Sequence, residues 1–312
     1  MPGINPDAEI LRLETSAQNG IEPRIPGLSS HIVPLQGSSP VIIIRIPKSW
    51  IAPHMIVFQN YSRFYARNSA GKYILDVNEL RTSFMASEVI SKKINSFRLD
   101  RISRILSGET PIVLKNGAKI ILHIVPYGFS DSSFSVDVTR IGHTDKLRPI
   151  HAVGGYNPKH NLDGFVNYSD FRFTYTLLFR HGAIEAVNMD LLFPEDTPSG
   201  GKLLAFYPRQ VEEELLEGIH GYLDFQEAIG VNTPLVIMLA FSGVKDYRLE
   251  NTYGGTFGHP IDRDILILPE VVIENYKGDI DTIMKPIFDA MWNAAGMQKA
   301  ITYDETGKRK KG

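Results

Sequence analysis

Apolar positions fall into two textures along the chain. Before Pro111, short apolar runs are broken by prolines and by polar, aromatic-rich stretches; after it, longer apolar runs alternate with amphipathic periods. Residues 7–20, DAEILRLETSAQNG, carry a helical period opened by Pro6 and Asp7 and stopped by Gly20. Pro23, Pro26 and Pro34 then punctuate the chain. VIIIRIP, residues 41–47, is a β-branched run of strand length, and its near-continuous hydrophobicity predicts a strand buried on both faces. Residues 55–58 and 61–66 predict two short strands joined in a hairpin at Gln59-Asn60.

Asp76 and Glu79 form the D-x-x-E spacing of a helix cap, ahead of apolar positions at Val77, Leu80, Phe84, Ile90, Ile94, Phe97, Ile102 and Ile105. Gly108 ends this period, which predicts one long helix or two with a bend near Ala86-Ser87. Arg81, Lys92, Lys93, Arg98, Arg101 and Arg104 make it strongly basic, as expected of the solvated face of a linker helix. Farther on, AKIILHIV, TYTLLF, AIEAV, LLAFY, PLVIMLAF and DILILPEVVIE predict strands, the last two buried. Arg180-His181-Gly182 predicts a hairpin link, and helices are expected from Pro208 to Ile229 and from Asp279 to Ala295. The fold class is therefore α+β (mixed α/β). The closing GKRKKG is a short basic end of the kind that is commonly disordered.

Composition narrows the chemistry. Of 312 residues, 43% are hydrophobic and 22% charged, an ordinary globular balance, and a net charge of −2 leaves no global field for nucleic acid. Any polyanion site must then be a local patch. With no cysteine, disulfides, thiolate catalysis and Cys-ligated zinc are excluded. No apolar run approaches the roughly 18 residues of a membrane span, and the start lacks signal-peptide order, so a cytoplasmic protein without a membrane partner is expected. PSGGKLL has Asp196 and Leu203 where a phosphate loop needs Gly and Ser or Thr, and YGGTFG follows no strand-to-helix turn. Among nine histidines no H-E-x-x-H occurs; His259, Asp262 and Asp264 could converge on an ion, although ordinary loop chemistry explains them as well. His123, inside an apolar run, reads as a hydrogen-bonded core residue, and no G-x-S-x-G elbow is present.

One stretch stands apart: PHMIVFQNYSRFYARNSAGKY, residues 53–73, interleaves the aromatics Phe58, Tyr61, Phe64 and Tyr65 with Arg63, Arg67, Asn68, Ser69 and Lys72. In a strand, Tyr61, Arg63 and Tyr65 share one face while Ser62 and Phe64 take the other. Arg63 and Lys72 could neutralise phosphates, Tyr61 and Tyr65 could stack on bases, and Asn68 and Ser69 could donate to phosphate or sugar oxygens. The alternative is a hairpin whose rings cover a core edge and whose arginines only solvate it, with Arg67 paired to Asp76 or Glu79.

EPRIPGL, VIIIRIPKSWIAPHM, SRFYARNSAGKYILDVNEL and the later IDRDILILPE and FDAMWNAAG carry a family resemblance. The chain resembles bacterial proteins with the Schlafen AlbA-type domain, a DNA-binding type also described as ATP-binding or divergent AAA. The family's P-[RK]-S…P-H turn is matched by Pro47, Lys48, Ser49, Pro53 and His54. Its aromatic-x-R-x-x-N-S-type strand is matched in part by Tyr65, Arg67, Asn68 and Ser69, and its acidic helix start by Asp76 and Glu79. The family's opening strand with a Glu-x-Lys-type motif and its helix with F-A-N-x-x-G-G have no counterpart, so the expectation is an N-terminally truncated or reduced form.

The resemblance implies a partial AlbA-like sheet with flanking helices over residues 1–86, a basic helical connector over 87–110, a larger mixed α/β domain over 111–304 and a basic tail over 305–312. The expected function is non-enzymatic nucleic-acid binding or regulation, with DNA or RNA as partner and Lys48, His54, Tyr61, Arg63, Tyr65, Arg67, Asn68, Ser69 and Lys72 as the site. No cofactor is expected, and Mg or ATP enters only under the alternative of a metal-dependent nuclease or NTPase. A third reading is a protein-interaction or homo-oligomerisation module using an exposed sheet edge.

Overall fold

The computed structural model describes residues 5–25, 28–34, 40–46, 49, 52–59, 61–69, 71–131, 134–142, 144–196, 201–250 and 255–310. It has the mixed α+β class that the pattern predicts. The chain divides into two compact units, Met1–Asn95 with Asn232–Pro234, and Ser96–Val231 with Leu235–Gly312.

The first unit opens with α1 (Pro6–Gly20), whose cap is Asn5: its Oδ1 accepts from the Asp7 amide at 3.0 Å, and Pro6 needs no donor partner there. Then come β1 (Ile21–Glu22), β2 (Ser29–Val33), β3 (Val41–Arg45), β4 (Met55–Phe58), β5 (Tyr61–Asn68) and β6 (Gly71–Ile74). Four of them form a sheet in the order β1-β4-β5-β6, while β2 and β3 make a separate antiparallel ribbon. The expectation that residues 41–47 are buried on both faces is corrected here: Ile43 is 51% and Ile44 43% exposed. Only β2 pairs with β3 among the described residues, and of the strand's side chains only Ile42 is half-buried, so hydrophobic content set the strand but not its burial.

The capping box at Asp76 is formed. Its Oδ1 accepts from the amides of Asn78 and Glu79 at 2.8 Å, and Glu79 Oε2 accepts from the Asp76 amide at 2.9 Å. One continuous helix follows, α2 (Val77–Leu106), with Gly108 beyond it at φ +86. The boundary between the units falls inside this helix.

The second unit contains β7 (Lys119–Pro126), β8 (Asn157–His160), β9 (Gly164–Ser169), β10 (Thr174–Phe179) and β11 (Ile184–Asn188). The short β12 (Glu195–Asp196), β13 (Lys202–Leu203) and β14 (Ala205–Phe206) precede α3 (Pro208–Ala228). After it come β15 (Leu235–Ser242), β16 (Arg248–Glu250), β17 (Thr256–Phe257), β18 (Ile265–Ile273) and α4 (Ile280–Asn293). Seven strands form one antiparallel sheet in the order β18-β15-β7-β11-β10-β9-β8. One face, with Leu122, Ile124, Ile184 and Ile237, joins a core with Leu215 and Tyr222 of α3 and Met284, Phe288 and Trp292 of α4. β18 is not a buried strand as expected: it is a sheet edge, with Ile265, Ile267 and Val272 exposed and Pro269 tolerated where no ladder partner is needed. The basic end is also ordered through Lys310, since Asp304 Oδ1 accepts from the amides of Thr306 and Lys308, and Arg309 lies 3.7 Å from Glu213.

On the opposite face of this sheet the basic helix departs from expectation. Arg98 and Arg101 are buried, not solvated. Arg98 Nη2 donates to the carbonyls of Leu239 at 2.7 Å and Leu268 at 3.1 Å, beside the register shift between Met238 and Ala240. Arg101 donates from Nε and Nη2 to Glu185 Oε2 and Oε1 at 2.8 and 2.9 Å. Glu185 also accepts from Tyr175 Oη at 2.8 Å and lies 3.1 Å from His123 Nε2. Helix periodicity records where basic residues lie but not that backbone carbonyls await Arg98 and a carboxylate awaits Arg101 on the sheet, which is why the solvated reading failed for these two.

This network makes the second unit acid-sensitive. Burial alone would raise the Glu185 carboxyl, but the Arg101 fork and His123 outweigh it and hold Glu185 down to about 2. His181, stacked on Phe179 at 5.1 Å, is pushed down to about 4 by burial. Both folded values lie below the unfolded ones, so their contribution is complete above about pH 6.5 and is lost as pH falls through about 4 and then about 2. Glu212, raised by burial, acts in the opposite sense and offsets part of the loss. Thermal melting followed by circular dichroism should give a midpoint that falls steadily with acidification below neutrality; a midpoint that rises instead contradicts this assignment.

Candidate nucleic-acid interface

β5 is an inner strand of the hairpin sheet, paired with β4 on one side and β6 on the other. Strand alternation puts Tyr61, Arg63, Tyr65 and Arg67 on one face. Directly paired residues share a face, so Phe58 stands beside Tyr61, Ile56 beside Arg63, Ile74 beside Tyr65 and Lys72 beside Arg67. All four β5 residues on this face are exposed, as are Phe58, Lys72 and Ile74. The ring at one end is 65% exposed at Tyr61, and its neighbour Phe58 is 66% exposed.

The other face anchors the hairpin. Phe64 meets Phe84 of α2 edge-on at 5.9 Å, and Tyr73 Oη donates to Glu79 Oε1 at 3.0 Å. Glu79 thus serves both the helix cap and the tyrosine, and Asp76 is engaged by the cap amides. Neither carboxylate is paired with Arg67, so the hairpin is pinned to the helix by Phe64 and Tyr73 instead.

The outward cations rest on rings. Arg63 Cζ lies 5.5 Å from the centroid of Tyr61, and Lys72 Nζ lies 5.7 Å from that of Tyr65. Arg63, Arg67 and Lys72 have no ion pair among the described residues. No Asp or Glu occupies this face in β4, β5 or β6, so three positive charges stand there without a counter-charge. Asn68 pairs with Gly71 in the ladder, where Gly71 adopts φ +124, and Ser69 occupies the turn.

The remaining expected residues sit differently. His54 is half-buried and its Nδ1 donates to the Pro23 carbonyl at 2.6 Å, so the ring is committed to the chain entering β4. Lys48 lies outside the described residues. Pro198, Ser199 and Gly200 of the glycine-rich stretch, and Tyr253 and Gly254 of the later one, lie outside them too.

Other chemistry is sparse. Among the described residues no group of three His, Cys, Asp or Glu is arranged to hold a metal ion, and Asp262 is paired with Arg263 at 2.8 Å. In the second unit a cleft of about 250 Å³ lies between residues 145–151 and α3. His151 there adopts φ +54, with Nδ1 2.6 Å from Glu214 Oε1 and Nε2 3.4 Å from Asp190, itself paired with Arg172 at 3.0 Å. Nothing in the sequence pattern had pointed to this cluster, because its residues come from four separated segments. Arg148 is likewise paired with Glu217 at 3.1 Å, so the charges of the cleft are answered within the protein. No family model, curated protein or solved structure matches the chain.

Proposed function

We propose that the protein binds nucleic acid through the outward face of the β4-β5-β6 hairpin sheet, as a non-enzymatic binding or regulatory protein of the Schlafen AlbA type. The observation that carries this reading is the row Tyr61, Arg63, Tyr65, Arg67, with Lys72 across the ladder: exposed rings and cations and no carboxylate on the same face. Phosphates have an acid-free cationic surface to meet, and bases have rings to lie on. Neither feature serves the packing of the unit, whose contacts with α2 are made from the other face. Fluorescence anisotropy with labelled oligonucleotides at low and raised salt is the test. Binding at low salt that weakens steeply with added salt is expected; no binding at low salt removes the proposal.

A second reading has one observation in its favour. Ile43 and Ile44 of β3 and the adjoining Ile46 are exposed, and among the described residues only β2 pairs with β3, which leaves an apolar edge suited to a protein partner or a second copy. Light scattering after size exclusion separates the two: Ile43→Lys should abolish self-association through β3 and leave oligonucleotide binding by β5 unchanged.

A further inference from the structure

The geometry points to single-stranded nucleic acid, in preference to duplex, as the ligand of this face; the inference rests on the nucleic-acid reading above. Three features of the face lead to it. First, the rings are placed where only unstacked bases could use them. Phe58 and Tyr61 are adjacent across the ladder at one end of the hairpin, and Tyr65 follows along β5. In a duplex the base faces are buried in the stack, so these exposed rings would meet sugar and phosphate and gain little.

Second, ring and cation alternate. Successive outward residues of a strand lie about 6.8 Å apart, twice the rise per residue. Tyr61, Arg63, Tyr65 and Arg67 therefore offer platform, charge, platform, charge in register. A base can rest on a tyrosine while the adjoining phosphate meets the next arginine, and a guanidinium plane is itself a stacking surface. The Arg63 and Lys72 groups already lie over Tyr61 and Tyr65, so each ring has a cation at hand.

Third, the face centres on an inner strand of a sheet, not on a slender protruding element. Three strands span about 10 Å between outer axes before side chains are added, which fills a major groove about 12 Å wide and keeps Tyr61 and Arg63 from base edges. A flexible single strand meets no such obstacle, because it can lie along the sheet and turn its bases down. The shared chemistry, a phosphodiester chain with accessible bases, is common to DNA and RNA.

Anisotropy titrations with one sequence of about 15 nucleotides, as single-stranded DNA, single-stranded RNA and annealed duplex, decide the matter. The full chain should bind one or both single strands at least about tenfold more tightly than the duplex. Tyr65→Ala should weaken single-strand binding by about 5- to 150-fold and leave the weak duplex binding unchanged, while Tyr65→Phe, which keeps the ring, restores single-strand affinity. Equal or tighter binding of duplex, or a Tyr65→Ala effect that Tyr65→Phe does not relieve, overturns the single-strand inference and leaves the broader reading intact. Absence of binding to all three probes overturns both.

Discussion

Replacing Glu185 by alanine is expected to destabilise the second unit by about 3–5 kcal/mol, the largest effect of any single side chain considered. Glu185 is fully buried on β11 and takes the Arg101 fork, Tyr175 Oη and the His123 ring. Its removal leaves a guanidinium that is 8% exposed without a counter-charge and two further polar groups without their partner. The cost is that of stranding these groups, not the net worth of the pair. For a unit of this size, melting should fall by roughly 6–20 °C. The double substitution Arg101→Met with Glu185→Met should be less damaging than Glu185→Ala, because it removes the charge and its partner together. Urea denaturation of both variants checks the pair. A loss under about 1 kcal/mol for Glu185→Ala would falsify the assignment of this network as the anchor of the second half of α2.

The second large effect is on binding. Arg63→Glu with Arg67→Glu should weaken oligonucleotide affinity at least about 100-fold at low salt, since each lost charged contact is worth about 1.5 kcal/mol or more. Repulsion of phosphate by the new carboxylates adds to that loss. Both side chains are exposed and unpaired among the described residues, so the melting temperature should barely move. Glu185→Ala and the double reversal thus separate the two units' tasks: one loses stability, the other affinity. Parallel loss of both properties in the arginine variant would mean that the arginines hold the hairpin together.

How much of this was legible depends on what each pattern encodes. Alternation along residues 61–66 predicted the two faces of β5, because in-out order is a property of the strand alone. The D-x-x-E spacing gave the cap for the same local reason, with Asp76 and Glu79 bonded as drawn from sequence. Burial was another matter. The run at residues 41–47 looks like a core strand, yet its exposure depends on which other elements pair with it, and only β2 does among the described residues. Arg98 and Arg101 had the spacing of a solvated stripe, while their partners come from β15, β18 and β11, about 84 to 170 residues away. β9 was missed because GFVNYS carries a buried Asn167; its side-chain amide donates to the Leu147 carbonyl at 3.0 Å, a satisfaction that no local pattern predicts.

The most direct test of the central claim is the salt dependence of oligonucleotide binding by the full chain and by Arg67→Ala. With Arg63, Arg67 and Lys72 each neutralising a phosphate, log affinity for a single strand should fall against log salt with a slope of about −2, and against duplex with a slope nearer about −3. Arg67→Ala should make the single-strand slope shallower by about 0.7 without lowering the melting temperature. A slope near zero, or one that Arg67→Ala leaves unchanged, would contradict the assignment of this sheet face to nucleic acid.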